Sequence, residues 1–356
     1  MITSPVVIPY HLRQYSPVFA EGVKNFGGKK IKFVNPNTDN YPRNIKYAGE
    51  LHKHGVPVYH KDILQTEEGK GPPVIVCGSG NSLKDPKVLE DMWKWVDSGA
   101  IVMACKQAIK YLHEQGFKID YGVSMDPGAH IARPEKIFKS PGTIHILASS
   151  SDPLLFDYIL SSKSFPEWLT ERSKEEQQKI LDLDYTAWKK GEFELINTRA
   201  EQGKAMIFHS ATGYKEELQL YENLFKEAAC MGGGYNVVNR AVSAALFMGA
   251  AKIILAGCDC GWRKGDAFYV DGKNNRPGVE MEDCFMVEGT DAEGNKINNP
   301  DAQQWSTRPD MLASGVALAK LAKDKKEQFV ILGDTLPSKL VHKTDAFLQK
   351  CASFGK

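Results

Sequence analysis

Four short segments carry the residue types from which a phosphate-handling site is built. The first, Gly78-Ser79-Gly80-Asn81-Ser82-Leu83, sets two glycines among serines and an asparagine. Glycines let a backbone turn tightly and approach a ligand, and Ser82 with the free amides of a helix start can donate to a phosphate. Tight strand-to-helix packing accounts for the same glycines. Leu83 fills the third position of a GxGxxG pattern and the Lys-[Ser/Thr] of a P-loop is missing, so neither a nicotinamide fingerprint nor Walker chemistry is implied. The second segment, Ser124-Met125-Asp126-Pro127-Gly128, offers a carboxylate that reads equally as a ligand and as a turn cap before proline. In the third, Gly257-Cys258-Asp259-Cys260-Gly261-Trp262, Asp259 is a candidate for Mg²⁺ or a ribose hydroxyl, with a turn aspartate as the plainer account. Such a carboxylate in a polar cleft is expected to matter for reaction more than for folding. The fourth, Gly232-Gly233-Gly234-Tyr235-Asn236, enters a helix without an acidic first turn, which suits an anion; close helix-to-sheet packing explains its glycines almost as well.

These segments sit at the ends of apolar runs. Val74-Ile75-Val76-Cys77 reads as a short buried strand leading into a helix from about Asp85. Runs at 100–105, 119–125, 143–148, 205–209 and 252–257 repeat the pattern with helical stretches between them, and a helix near 308–323 and a strand near 328–332 close it. The alternation predicts an α/β fold, a doubly wound and mainly parallel sheet, with ligands beyond the carboxyl ends of the strands. Residues 1–70 form an N-terminal extension rich in turn formers, such as Asn40-Tyr41-Pro42-Arg43-Asn44, and take no regular assignment. A nucleotide-binding domain is expected over 71–340 and a tail over 341–356. From 161 to 204 a charged segment with Phe165, Trp168, Tyr185 and Trp188 reads as an inserted helical subdomain, either a lid over the cleft or a permanently packed pair. The polar stretch 259–305 is long enough to be functional or mobile.

The 356 residues are 42% apolar and 25% charged, ordinary globular usage. A net charge of +1 removes the bulk electrostatic case for nucleic acid or an anionic membrane. Seven scattered cysteines without a CxxC pair fit a reduced setting, and no window approaches the roughly 20 apolar residues of a membrane span, so a cytoplasmic location is expected.

Taken in order, Val74–Leu83 (VIVCGSGNSL), Gly116–Pro127 (GFKIDYGVSMDP) and Gly232–Asp259 resemble the family that joins motility accessory factors with 6-hydroxymethylpterin diphosphokinase-like proteins, over roughly residues 71–335. The resemblance implies a Rossmann-like fold that binds a nucleotide and transfers a group. It implies that Gly78, Gly80 and Ser82 contact the nucleotide and that Asp126 and Asp259 line the same cleft. Two positions depart from the family: Asn81, where proline is usual, and Lys106, where asparagine is common. A cation at Lys106 favours phosphate, and a solvated helix-start lysine is the plainer reading. One branch of the family looks like ATP-dependent diphosphate transfer; the other is linked to nonulosonic sugars and is distantly similar to bacterial sialyltransferases that use CMP-sugars.

The leading expectation from sequence is therefore a Mg²⁺- and nucleotide-dependent transferase of the diphosphokinase-like kind, acting on a small hydroxymethyl acceptor. Asp126, Asp259 and Lys106 are the expected catalytic groups, Asp126 and Asp259 the metal ligands. Gly78, Ser79, Gly80, Asn81, Ser82, Gly233, Gly234 and Asn236 are the expected nucleotide contacts. A nucleotide-sugar glycosyltransferase with a glycan acceptor is the alternative, and a non-catalytic nucleotide-binding or assembly protein the third. Sialyl transfer uses a histidine downstream of the third block, and none lies between Trp262 and Leu340; Tyr269, Asp271 and Asp283 are the substitutes for a base. Neither nucleic acid nor membrane is an expected partner, and the oligomeric state is left open.

Overall fold

The computed structural model describes residues 41–59, 67–128, 132, 137–181, 205–210, 217–226, 230–231, 236–263, 266–267, 269–270, 283–285, 287–307 and 309–352. Helix α1 (Tyr41–Lys53) comes first, and strand β1 (Val74–Cys77) runs through a 3-10 turn (Asn81–Lys84) into α2 (Pro86–Asp97). Strand β2 (Ile101–Cys105), α3 (Gln107–Glu114), β3 (Tyr121–Ser124) and β4 (Ile144–Ala148) follow. Next are α4 (Pro153–Leu160), α5 (Phe165–Thr170), α6 (Lys174–Leu181), β5 (Ala205–Phe208) and α7 (Glu217–Phe225). The remainder holds α8 (Val237–Phe247), β6 (Ile253–Ala256), β7 (Trp262–Arg263), β8 (Asp283–Phe285), β9 (Trp305–Ser306), α9 (Pro309–Asp324), β10 (Phe329–Ile331), α10 (Leu336–Leu340) and α11 (Asp345–Ala352).

Seven parallel strands with flanking helices make this an α/β, Rossmann-like fold. The chain divides into two compact units. The first comprises the described residues of 41–59 and 109–231, the second those of 67–108 and 236–352. In the second unit the strand order is β10-β6-β1-β2, with Val74 beside both Ile101 and Ile253 and Phe329 beside Ile253. Every residue of β1 and β6 is buried, as expected of parallel strands covered on both faces. A small antiparallel sheet, β7-β9-β8, lies in the same unit.

In the first unit the order is β3-β4-β5, and Val58 extends the parallel pairing beside Ile207. Residues 41–58, left without assignment by sequence reading, are thus structured. Pro42 falls in the first turn of α1, where its missing N–H costs nothing, so a turn-like string opens a helix. The helix buries Ile45, Ala48 and Leu51. The described part of the inserted segment, 161–181, holds α5 and α6. Its Trp168 is fully buried, donates to Asp157 at 2.7 Å, and stacks obliquely with Tyr158 and Phe165. Arg172 pairs with the same Asp157 at 3.0 Å. This part is packed within its unit, while Tyr185 and Trp188 lie outside the described residues. Among the described residues, no helix is long and apolar enough to cross a membrane.

Candidate functional site

At the carboxyl end of β1 the chain turns through Gly78 and Gly80 while pressed against the end of β6. Gly78 N–H donates to Ala256 C=O at 2.8 Å and Gly80 N–H to Gly257 C=O at 2.9 Å. A Cβ on Gly78 would fall inside 3.0 Å of the Gly257 backbone, and one on Gly80 inside 3.0 Å of the Asp259 carboxylate. Both glycines are therefore required by close approach of protein to protein. Gly257, at φ 61°, and Cys260, at φ 53°, give β6 its sharp exit, a left-handed conformation that is costly for a non-glycine residue.

Asp259 is the pin of this turn. Its carboxylate accepts the Ser82 amide at 2.9 Å and the Ser82 hydroxyl, and the Asn81 amide also bonds to it. The residue is 8% exposed, and burial raises its carboxyl to about 6 against the opposing pull of the Ser82 and Asn81 donors. The anion that the loop amides were expected to bind is thus a carboxylate of the protein itself. Sequence reading gave Asp259 little part in folding. The structure corrects this, because its side chain ties together two strand ends 177 positions apart.

Two more segments close on the same loop. Val270 N–H donates to Ser79 C=O at 2.9 Å, and Tyr269 forms an antiparallel bridge with Gly80. After β10, Gly333 turns at φ 79° beside Ser82 and Val88, and Leu336 N–H donates to Asp259 C=O at 3.0 Å. The rim carries a charge network. Arg263 pairs with Asp334 and, at 3.3 Å, with Glu288; Lys339 bridges Glu288 at 3.0 Å and Asp334 at 2.8 Å.

The other expected site residues are placed as follows. Lys106 ends β2 with φ 49°, half-buried, a strained backbone at a strand end. Asn236 caps α8 by accepting the Asn239 amide at 3.0 Å, which spends its oxygen on the helix. Gly233 and Gly234 lie outside the described residues, as does Asp271, and of Asp283 only the strand pairing with Ser306 is described. Asp126 belongs to the first unit, where its carboxylate accepts the Gly128 amide at 3.2 Å, the turn-capping geometry. Among the described residues no three His, Cys, Asp and Glu side chains gather as a metal group. The carboxylate of Asp259 accepts from Ser82 and Asn81 and belongs to no such group. Beneath the loop, Cys77 and Cys258 are buried thiols held well above their usual range and Cys105 is raised to about 12, all by burial, so none is a poised nucleophile.

Sequence reading missed the part of the β10 end. Its signal was present, since Ile331-Leu332-Gly333-Asp334 repeats the apolar run, glycine and aspartate seen at Leu255–Asp259. No family model matches this chain, and no curated protein matches its sequence. Among solved structures, a MAf glycosyltransferase from Magnetospirillum magneticum AMB-1 is similar with a TM-score of 0.46 and 14% identity, over 90% of this chain and 43% of that one. The chain spans under half the length of that protein.

Proposed function

We propose that the protein is a nucleotide-dependent transferase whose donor is a nucleotide sugar of the CMP-sugar kind. The observation that carries this choice is the bonding of Asp259. Diphosphate transfer from ATP asks for carboxylates free to hold a cation on the phosphates. Here the strand-end carboxylate is committed to Ser82 and Asn81. Glycosyl transfer from a CMP-sugar, whose leaving group is a single phosphate, does not need that cation. The crevice beyond the carboxyl ends of parallel strands is where an open α/β sheet takes such a ligand.

In this reading Asp259 is a positioning residue, which sets the Gly78–Ser82 loop. The acceptor hydroxyl attacks the anomeric carbon, the bond from that carbon to the nucleotide phosphate breaks, and a base removes the hydroxyl proton. Of the expected histidine substitutes, Tyr269 has its backbone paired to the loop, at Gly80, and it is the candidate base. Lys106, at the end of β2, supplies a cation for the departing phosphate.

Thermal stabilisation of the full chain by CMP, a CMP-sugar, ATP and GTP, each with and without Mg²⁺, tests the reading. A shift with the CMP compounds that is indifferent to Mg²⁺ is expected. A Mg²⁺-dependent preference for ATP restores the diphosphokinase-like reading, and no shift with any nucleotide favours an assembly role.

A further inference from the structure

Four backbone amides of the loop after β1 and the Ser82 hydroxyl are used on the protein. The Ser82 amide and hydroxyl and the Asn81 amide go to Asp259, and the Gly80 amide goes to Gly257. Asn81 itself retains an unused acceptor. The side-chain oxygen of Asn81, Oδ1, is shielded from solvent and has no hydrogen-bond partner among the described residues. A buried acceptor without a donor costs about 1–3 kcal/mol, so it is not kept for stability. The residue as a whole is only half-buried, and its terminal torsion is soft. Turning that amide outward breaks no bond at Oδ1. A phosphate, which only accepts, gains nothing from such an oxygen; a hydroxyl or amino group does. The chain neighbours of Asn81, Gly80 and Ser82, stand beside Tyr269 and Gly333, its own amide bonds to Asp259 after β6, and the neighbouring strand β2 is followed by Lys106.

We propose that the loop after β1 reads the nucleoside end of the donor, with Asn81 Oδ1 accepting from a ribose hydroxyl or a base amino group, while the phosphate lies toward Lys106. This rests on the nucleotide-sugar reading above and makes Asn81 a specificity-determining residue. It inverts the part expected of a glycine loop, because the phosphate-binding amides here serve Asp259.

The test is calorimetric titration of the full chain and its Asn81→Ala and Lys106→Gln variants with cytidine, CMP and pyrophosphate, alongside melting of each unliganded protein. Asn81→Ala is expected to melt at the parent temperature or above it, since a buried orphan is removed. It should bind both cytidine and CMP about 3- to 10-fold more weakly, with pyrophosphate unaffected. Lys106→Gln should weaken CMP and spare cytidine. Sensitivity to Asn81→Ala should vanish for 2′,3′-dideoxy-CMP if the donor is a hydroxyl, or for UMP if it is the amine. Its persistence with both analogues overturns the proposal, as does weakening of CMP and pyrophosphate without cytidine. A parent that binds CMP while Asn81→Ala binds it equally well removes this inference alone. A parent that binds no CMP removes the CMP-sugar reading and this inference with it.

Discussion

The two units finish their parallel strands in opposite ways. In the second unit the exits of β1, β6 and β10 turn on glycines at 78, 80, 257 and 333, where a side chain would collide or strain. In the first unit the exits of β3, β4 and β5 are lined with buried hydroxyls: Ser124, Ser149, Ser150, Ser151 and Ser210. Ser149 reaches His209 at 3.2 Å, but the hydroxyls of Ser124, Ser151 and Ser210 find no partner among the described residues. A partly buried ion pair, Arg43–Asp152 at 3.0 Å, stands just after β4. One unit obtains fixed geometry from glycines closed around a bonded carboxylate, Asp259. The other carries desolvated polar groups, which lower its stability.

The contrast is most sharply broken at Gly78. Gly78→Ala sets a Cβ against the rigid Gly257 carbonyl, and we expect a loss of about 3 kcal/mol or failure to fold, seen in urea unfolding. Gly142→Ala, in the first unit, has open space around it and only its φ of 74° to strain, so about 1 kcal/mol is expected. Equal losses at the two positions would show that the interlocked turns carry no special constraint.

Acid separates individual groups. His145 in β4 is buried with neither ring nitrogen bonded among the described residues, and burial pushes its pKa down to about 3, with the charge of Lys139 adding to the effect. The folded chain thus binds fewer protons there, and stability falls as pH drops below about 6.5, by up to about 1.4 kcal/mol per pH unit. Asp259 and Asp152 are raised by burial to about 6, so their folded forms take up protons first and gain stability as pH falls from 6 toward 4. His145→Leu should therefore turn the slope of stability against pH between 6.5 and 4 toward stabilisation on acidification. An unchanged slope would mean that the imidazole is not buried neutral.

A smaller effect follows for Asp259→Asn. The amide accepts fewer of the loop donors yet is cheaper to bury, so a net loss of about 1–2 kcal/mol at pH 7 is expected, growing toward pH 5 as the parent carboxyl takes up its proton in the folded state and gains stability that the amide cannot. Melting at both pH values decides it; a loss that shrinks on acidification is incompatible with a carboxylate desolvated by the loop. Smallest of all, Ser151→Ala removes a buried hydroxyl that bonds nothing, and its melting temperature should match the parent's or exceed it by a few degrees. A clear drop would reveal a partner for that hydroxyl.

The sheet is legible from sequence because its strands are wholly buried. Apolar runs bounded by glycine and polar residues place β1 at Val74–Cys77 and β6 within one residue of its ends, and the same holds for β4 and α9. Helix α1 is hidden, since Asn-Tyr-Pro-Arg-Asn is as good a turn as a helix start and only packing separates the two. The candidate site is half legible. Gly78, Gly80, Ser82 and Asp259 do come together, but for each other, and no local pattern reports a hydrogen bond between residues 177 positions apart. The division into two units is not legible at all, because the second is assembled from pieces on both sides of the first.

That discontinuity bears on how the chain is made. During synthesis β1 and β2 emerge early and can pair, but the other side of β1 is filled by β6, which leaves the ribosome only after the whole first unit. Until then an apolar, fully hydrogen-bond-competent strand edge stands open, the kind of surface on which nascent chains stick to one another. Closing so long a loop is slow, and a chain truncated before Ile253 would end with that edge uncovered, as a target for chaperones and proteases.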